Sequence, residues 1–172
     1  MAESLPFNFL GLPPELCTYE KSKVVLLPVG YDSTTSYRTG TREGPLAIIH
    51  ASRFLEYYDP QLKKDFTTLG ITTLDPLSPA MDGPEQMIVT VQDVVTELLK
   101  DDKFVVLLGG EHTLTIGMVR AFFKYFPKMA VLQIDAHLDL RDVYEGTKFN
   151  HACTMRRVIE ICPIVQVGIR SV

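Results

Sequence analysis

Asp135, His137 and Asp139 alternate along the chain, directly after the apolar run Met129–Ile134. While such a segment stays extended, alternate side chains share one face, so two carboxylates and an imidazole point the same way. A second apolar run, Phe104–Leu108, leads into Gly109-Gly110-Glu111-His112-Thr113 and brings another imidazole to a strand end. Mixed Asp/His sites without thiolate suit Mn²⁺, Zn²⁺, Fe²⁺ or Co²⁺. A carboxylate shared by two ions roughly 3.5–4 Å apart is the usual plan of binuclear hydrolases, which generate hydroxide near neutral pH. Taken singly, Asp-x-His reads first as a surface loop, and His112 as a helix cap. Together, at consecutive strand ends, the clustered charges need something to satisfy them, and a metal does so.

The elements that must position these residues alternate about five times between strand and helix. Val24–Val29, Phe66–Leu74, Phe104–Leu108, Met129–Ile134 and Ile164–Ile169 read as strands. Helical stripes follow: Ala47, Ala51, Phe54 and Tyr58 after Pro45; Met87, Val91, Val94 and Leu98 after Pro84; Leu114, Met118, Ala121 and Tyr125; and Ala152, Met155, Ile159 and Cys162. Continuous apolar strands are those of a parallel sheet buried on both faces. Right-handed crossovers then give a three-layer α/β/α fold with one mainly parallel sheet. Residues 1–23, with Pro6, Pro13 and Pro14, read as an N-terminal arm over the surface, and 24–172 as one domain portion. In such folds function gathers at the carboxyl ends of the strands.

Composition narrows the class. The chain has 172 residues, 46% hydrophobic and 22% charged, which fits one globular domain rather than disorder. A net charge of −4 gives no basic face for nucleic acid. No run is long enough to span a membrane. Met1-Ala2-Glu3-Ser4 shows no leader pattern. Cys17, Cys153 and Cys162, an odd count without CxxC, read as reduced thiols of a cytoplasmic protein.

The motifs resemble those of the ureohydrolases: arginase, agmatinase, formiminoglutamase and relatives. GGEHTLT at 109–115 resembles the family's first metal motif, and DAHLDLRD at 135–142 its second. SYRTGTREGP at 36–45, FNHACTMRR at 149–157 and VQVGIRS at 165–171 are more similar to agmatinases than to arginases. The resemblance covers nearly all the chain after the arm, and implies an arginase-like fold and a binuclear Mn²⁺ centre. It gives His112, Asp135 and Asp139 as ligands of one ion, and Asp135 and His137 as ligands of the other, with Asp135 bridging. His151 matches the histidine beside the substrate, a proton shuttle or guanidinium contact, and an imidazole suits proton transfer. The implied reaction is hydroxide attack on a guanidinium carbon, with agmatine giving urea and putrescine in polyamine biosynthesis.

Other residues in these segments read as bystanders. Arg141, Asp142, Tyr144 and Glu145 could line a pocket but read first as a solvated loop, and Arg156 and Arg157 read as exposed helix charge. Glu111 reads as an outer support at most, and Cys153 as no nucleophile.

Ureohydrolases are nearly twice as long, and their third motif, SxDxDxxDP, is absent here. The expectation is therefore a truncated fold with a partial metal centre, in which the edge of Ile164–Ile169 lacks a neighbour. Such an edge invites pairing with a complementary C-terminal chain or with another copy of this one. The family also implies homo-oligomers, commonly trimers or hexamers. A competing expectation is an inactive paralogue that binds or regulates a complete homologue; a third keeps the fold but takes another guanidino substrate, such as guanidinobutyrate.

Overall fold

The computed structural model describes residues 6–171. The leader reading at Met1–Ser4 lies outside the described residues, as does the start of the arm.

The central strand β1 (Val24–Val29) pairs in parallel with β4 (Ile71–Thr73) on one side and β5 (Phe104–Gly109) on the other. The β4 pairing ends at Leu26, so Pro28 stands where β1 is bordered by a sheet strand on one side only. Proline, lacking an N–H, is tolerated at such edges. One face of this sheet carries Val25, Leu27, Val29 and Val105. They bury against α3 (Pro84–Lys100) and α4 (Leu114–Tyr125) through Met87, Val91, Val95, Leu98, Leu114 and Ala121. Each fully buried side chain of this size contributes about 1.5–3 kcal/mol of transfer free energy. A Cβ at Gly117 would lie 2.5 Å from the Ile88 carbonyl oxygen, so the glycine sets how closely α3 and α4 approach. Pro84 opens α3, with Glu85 in its first turn and Lys100 in its last, each suited to the helix dipole.

The opposite face is covered by the segment read as a surface arm. Leu12 is fully buried with Leu26 and Ile71, and Phe9, Leu10, Leu16 and Cys17 pack around them. A one-turn 3₁₀ segment (Phe9–Gly11) and α1 (Pro14–Cys17) shape this layer. Its apolar residues follow the local turns rather than a regular period, so periodicity did not reveal the covering role.

A second, separate sheet pairs β6 (Val131–Ile134) with β7 (Ile164–Val167) in parallel. One face, Val131 and Ile164, packs on Val119 of α4 and on Met155, Val158 and Cys162 at α5 (Thr154–Ile159). The other face is bare: Leu132 and Ile134 are 63% and 80% exposed, and Val165 and Val167 are exposed beside them. The architecture is thus the expected α/β arrangement of parallel strands and helices, but the strands form two sheets and β6–β7 is buried on one face only.

Three local expectations differ. The helix after Pro45 is α2 (Gly44–Ser52), which buries Pro45, Ile49 and Ser52, whereas Ala47, Ala51, Phe54 and Tyr58 are exposed. Phe54 lies past the helix, and Tyr58 belongs to a small hairpin of β2 (Tyr58–Asp59) and β3 (Lys64–Asp65). The run from Phe66 is not all strand. Asp65 accepts from the Thr67 amide and hydroxyl, winding Phe66–Leu69 into a 3₁₀ turn before β4 begins. The helix with the Ala152 stripe is short: Ile159 at its end is exposed, and Cys162 is buried beyond it.

Candidate metal centre

The two sheets meet at their carboxyl ends. At the end of β5, a Cβ on Gly110 would lie 2.0 Å from the Tyr31 carbonyl oxygen. Only glycine permits this approach, which lets Gly110 N donate to Val29 O and Glu111 N to Tyr31 O at 2.8 Å. The chain then turns into α4, and His112 projects from the turn.

At the end of β6, Asp135 N donates to Val167 O, continuing the ladder. The Asp135 carboxylate accepts from His137 N (2.9 Å) and Gln133 Nε2 (3.2 Å). Burial raises its pKa, but these hydrogen bonds and the His112 and His137 imidazoles outweigh that, and the carboxyl is held below the ordinary range. Gln133 is buried and faces Gln166 across the β6–β7 register. Gln166 Nε2 donates both to Gln133 Oε1 and to Leu138 O. Sequence reasoning missed this glutamine pair. The available signal was a polar residue at the same point in each of two apolar strands.

Strict alternation does not persist past the end of β6 at Ile134. Asp139 adopts φ +50°, a left-handed conformation that aspartate tolerates better than most residues. Its carboxylate oxygen Oδ2 lies 2.7 Å from His112 Nδ1, and Asp135 Oδ2 lies 3.6 Å from the same nitrogen. Ligand atoms of His112, Asp135 and Asp139 all lie within 4.8 Å of one another. His137 stands outside this trio: its side chain is 64% exposed and its Nδ1 is 3.4 Å from Asp135 Oδ1. One imidazole and two carboxylates, partly buried and without thiolate, fit a hard or borderline divalent cation, which His112, Asp135 and Asp139 would hold.

The trio lines an open cavity of about 700 Å³ that also takes in Ser36, Tyr144 and His151. Asn150 caps the turn that starts at His151 by accepting from Ala152 N. His151 Nδ1 is 2.8 Å from Thr34 O, its amide donates to Thr34 Oγ1, and its Nε2 is 3.4 Å from Ser36 Oγ. The Tyr144 ring meets the imidazole edge-on at 6.1 Å, and Arg141 lies over Tyr144. Tyr144 and Arg141 therefore form part of the cavity wall, which corrects their reading as solvated loop. Arg157 is also not an exposed charge: it is buried and pairs with Asp142 and Glu160, tying the loop to α5. In the loop after β1, the buried Asp32 pairs with Arg42 and accepts from Gly40 N and Arg42 N, which gathers residues 32–42. The three cysteines are free thiols.

Comparison with known proteins places these features in context. A sequence profile of the Arginase family matches residues 22–172. The chain is 42% identical over 165 residues to the N(1)-aminopropylagmatine ureohydrolase of Synechocystis, covering 91% of this chain and 54% of that protein. It is 34% identical to the agmatinase of Halalkalibacterium halodurans, covering 89% and 54%. The solved agmatine ureohydrolase of Thermoplasma volcanium superposes with a TM-score of 0.83 at 36% identity, covering 90% of this chain and 52% of that one. The chain thus spans about half the length of the curated relatives it matches. Among the described residues no helix is long and apolar enough to cross a membrane.

Proposed function

The chain belongs to the arginase family, and on that premise we propose that it carries part of the active centre of an agmatinase-type enzyme, hydrolysing agmatine with water to putrescine and urea. The observation that carries this reading is the convergence of His112, Asp135 and Asp139 in a cavity that His151 also lines. Mn²⁺ is the proposed ion, and when bound it supplies Lewis acidity that lowers the pKa of water and polarises the guanidino group. His112, Asp135 and Asp139 would hold it, with His137 placed to support a second ion through Asp135.

The remaining chemistry belongs to the chain's own side chains. The Asp135 and Asp139 carboxylates would offset the charge of the bound ion, so that the cavity does not repel a guanidinium cation. His151 presents Nε2 to the same cavity, where an imidazole can accept a proton and return it to the departing amine. A second substrate, N(1)-aminopropylagmatine, is favoured by the likeness to the N(1)-aminopropylagmatine ureohydrolase of Synechocystis. Both substrates support a role in polyamine biosynthesis, and we propose a cytoplasmic setting.

The proposal extends to assembly. β5 and β6 bring ligands to one site without pairing with each other, and the bare face of β6–β7 is apolar. A complementary chain, or further copies of this one, would cover it. The test is urea release from agmatine and from N(1)-aminopropylagmatine in the presence of Mn²⁺, with and without a polypeptide matching the C-terminal half of a relative. Release abolished by His151→Asn supports the proposal. No release from either substrate in either condition refutes it and favours a binding or regulatory role beside a complete homologue.

A further inference from the structure

Glu111 is a buried carboxylate with no cation beside it in its hydrogen-bond set. It accepts three hydrogen bonds, from Thr34 N (2.7 Å), Thr34 Oγ1 (2.8 Å) and Thr113 Oγ1 (2.5 Å). Thr34 is the residue that holds His151. We propose that Glu111 is a positioning residue that, through Thr34, fixes the His151 imidazole with its proton on Nδ1 and its lone pair on Nε2. Its catalytic meaning rests on the reading of His151 as the proton carrier, but its structural content does not.

The assignment follows from donors and acceptors. An ionised carboxylate only accepts, so the Thr34 hydroxyl must give its single proton to Glu111. That leaves the hydroxyl lone pairs as acceptors, and the His151 amide donates to them at 3.1 Å. The hydroxyl has no second proton for the ring, and Nδ1 stands a long 3.5 Å away from it. Nδ1 lies instead 2.8 Å from the Thr34 carbonyl oxygen, which can only accept, so Nδ1 carries the hydrogen in the neutral and the charged ring alike. Nε2 is then the nitrogen that gains or loses a proton, and it lies on the cavity side near Ser36. Free imidazole side chains in water prefer the proton on Nε2, so this environment reverses the intrinsic preference. The Glu111 side chain reaches two threonines because Gly110 seats residue 111 directly beneath residues 31–34. Gln at 111 would turn an amide N–H₂ toward donors, leaving buried polar groups in conflict.

The experiment is long-range ¹H–¹⁵N NMR of the metal-free 172-residue chain with ¹⁵N-labelled histidine, above the imidazole titration range. Four histidines give four patterns, and His151→Asn identifies the one that disappears. The expected result is the Nδ1–H pattern for His151. In Glu111→Gln and Thr34→Val, its Nε2 resonance should move from the unprotonated position toward the averaged one, while Thr34→Ser, which keeps the hydroxyl, should restore the wild-type position. An Nε2–H pattern in the wild-type chain overturns the proposal. So does an unchanged His151 pattern in Thr34→Val that is folded by circular dichroism. Should Glu111→Gln fail to fold, the Thr34 pair alone decides. The readout needs neither substrate nor metal, so a chain that releases no urea yet shows the Nδ1–H pattern refutes the hydrolase reading and leaves this one standing.

Discussion

The β4-β1-β5 sheet and the β6–β7 pair contribute to the same site but are buried to different degrees. In the first, both faces are covered: α3 and α4 lie on one, and residues 9–17 on the other. In the second, α4 and α5 cover one face, and Leu132, Ile134, Val165 and Val167 are left in solvent. His112 comes from the first sheet, and Asp135 and Asp139 from the second. The candidate metal centre therefore spans a well-packed and a half-packed region, joined through α4, whose Val119 packs with α5. The strand runs of the two regions are alike in apolar content. What differs is the layer across from them, and a strand's own residues do not encode that layer.

Core truncation should separate the regions most strongly. Ile88→Ala or Met87→Ala, in the fully buried face of α3, should cost about 2–5 kcal/mol in urea unfolding. Ile134→Ala on the bare face should stay within about 0.5 kcal/mol. Equal costs would erase the distinction. An intermediate effect is expected for Gln133→Ala. It leaves Gln166 and Asp135 short of partners near the site, for a loss of about 1–3 kcal/mol, accompanied by weaker metal retention.

The covered region should also show an acid-sensitive loop. The side-chain hydrogen bond from Arg42 holds the Asp32 carboxyl below the usual range, against the opposing effect of burial and with help from the Gly40 and Arg42 amides. A depressed folded-state pKa means that this stabilisation is complete above the unfolded value of about 3.9. It is lost as pH falls below that value through the folded one. Acid titration followed by circular dichroism should show a shallower slope below pH of about 4 in Asp32→Asn than in the wild-type chain. The smallest effect on stability is expected from Leu132→Ser with Val165→Thr. Sedimentation should nevertheless show less self-association, because the substitutions remove apolar area from the bare face.

Much of this arrangement was legible in the residues. The apolar run ending in Gly109-Gly110 and the one ending at Asp135 are strands, and their ends do meet. Strict alternation gave no warning that Asp139 would take a left-handed conformation and approach His112, while His137 stayed in solvent. Nor could spacing show that Thr34, 117 residues before His151, holds its ring, or that Glu111 holds Thr34. Those contacts depend on how the loop after β1 folds over the end of β5, a long-range packing event with no local period. Burial of Arg157 was missed for the same reason, since its partner Asp142 lies in a loop.

The measurement that tests the account most directly is bound Mn²⁺ per folded chain, by elemental analysis after loading and desalting. The account predicts about one ion in the wild-type chain and in His137→Ala, and loss of that ion in His112→Ala and Asp139→Ala. A wild-type chain that retains no ion, or an Asp139→Ala variant that retains as much as the wild type, would contradict it.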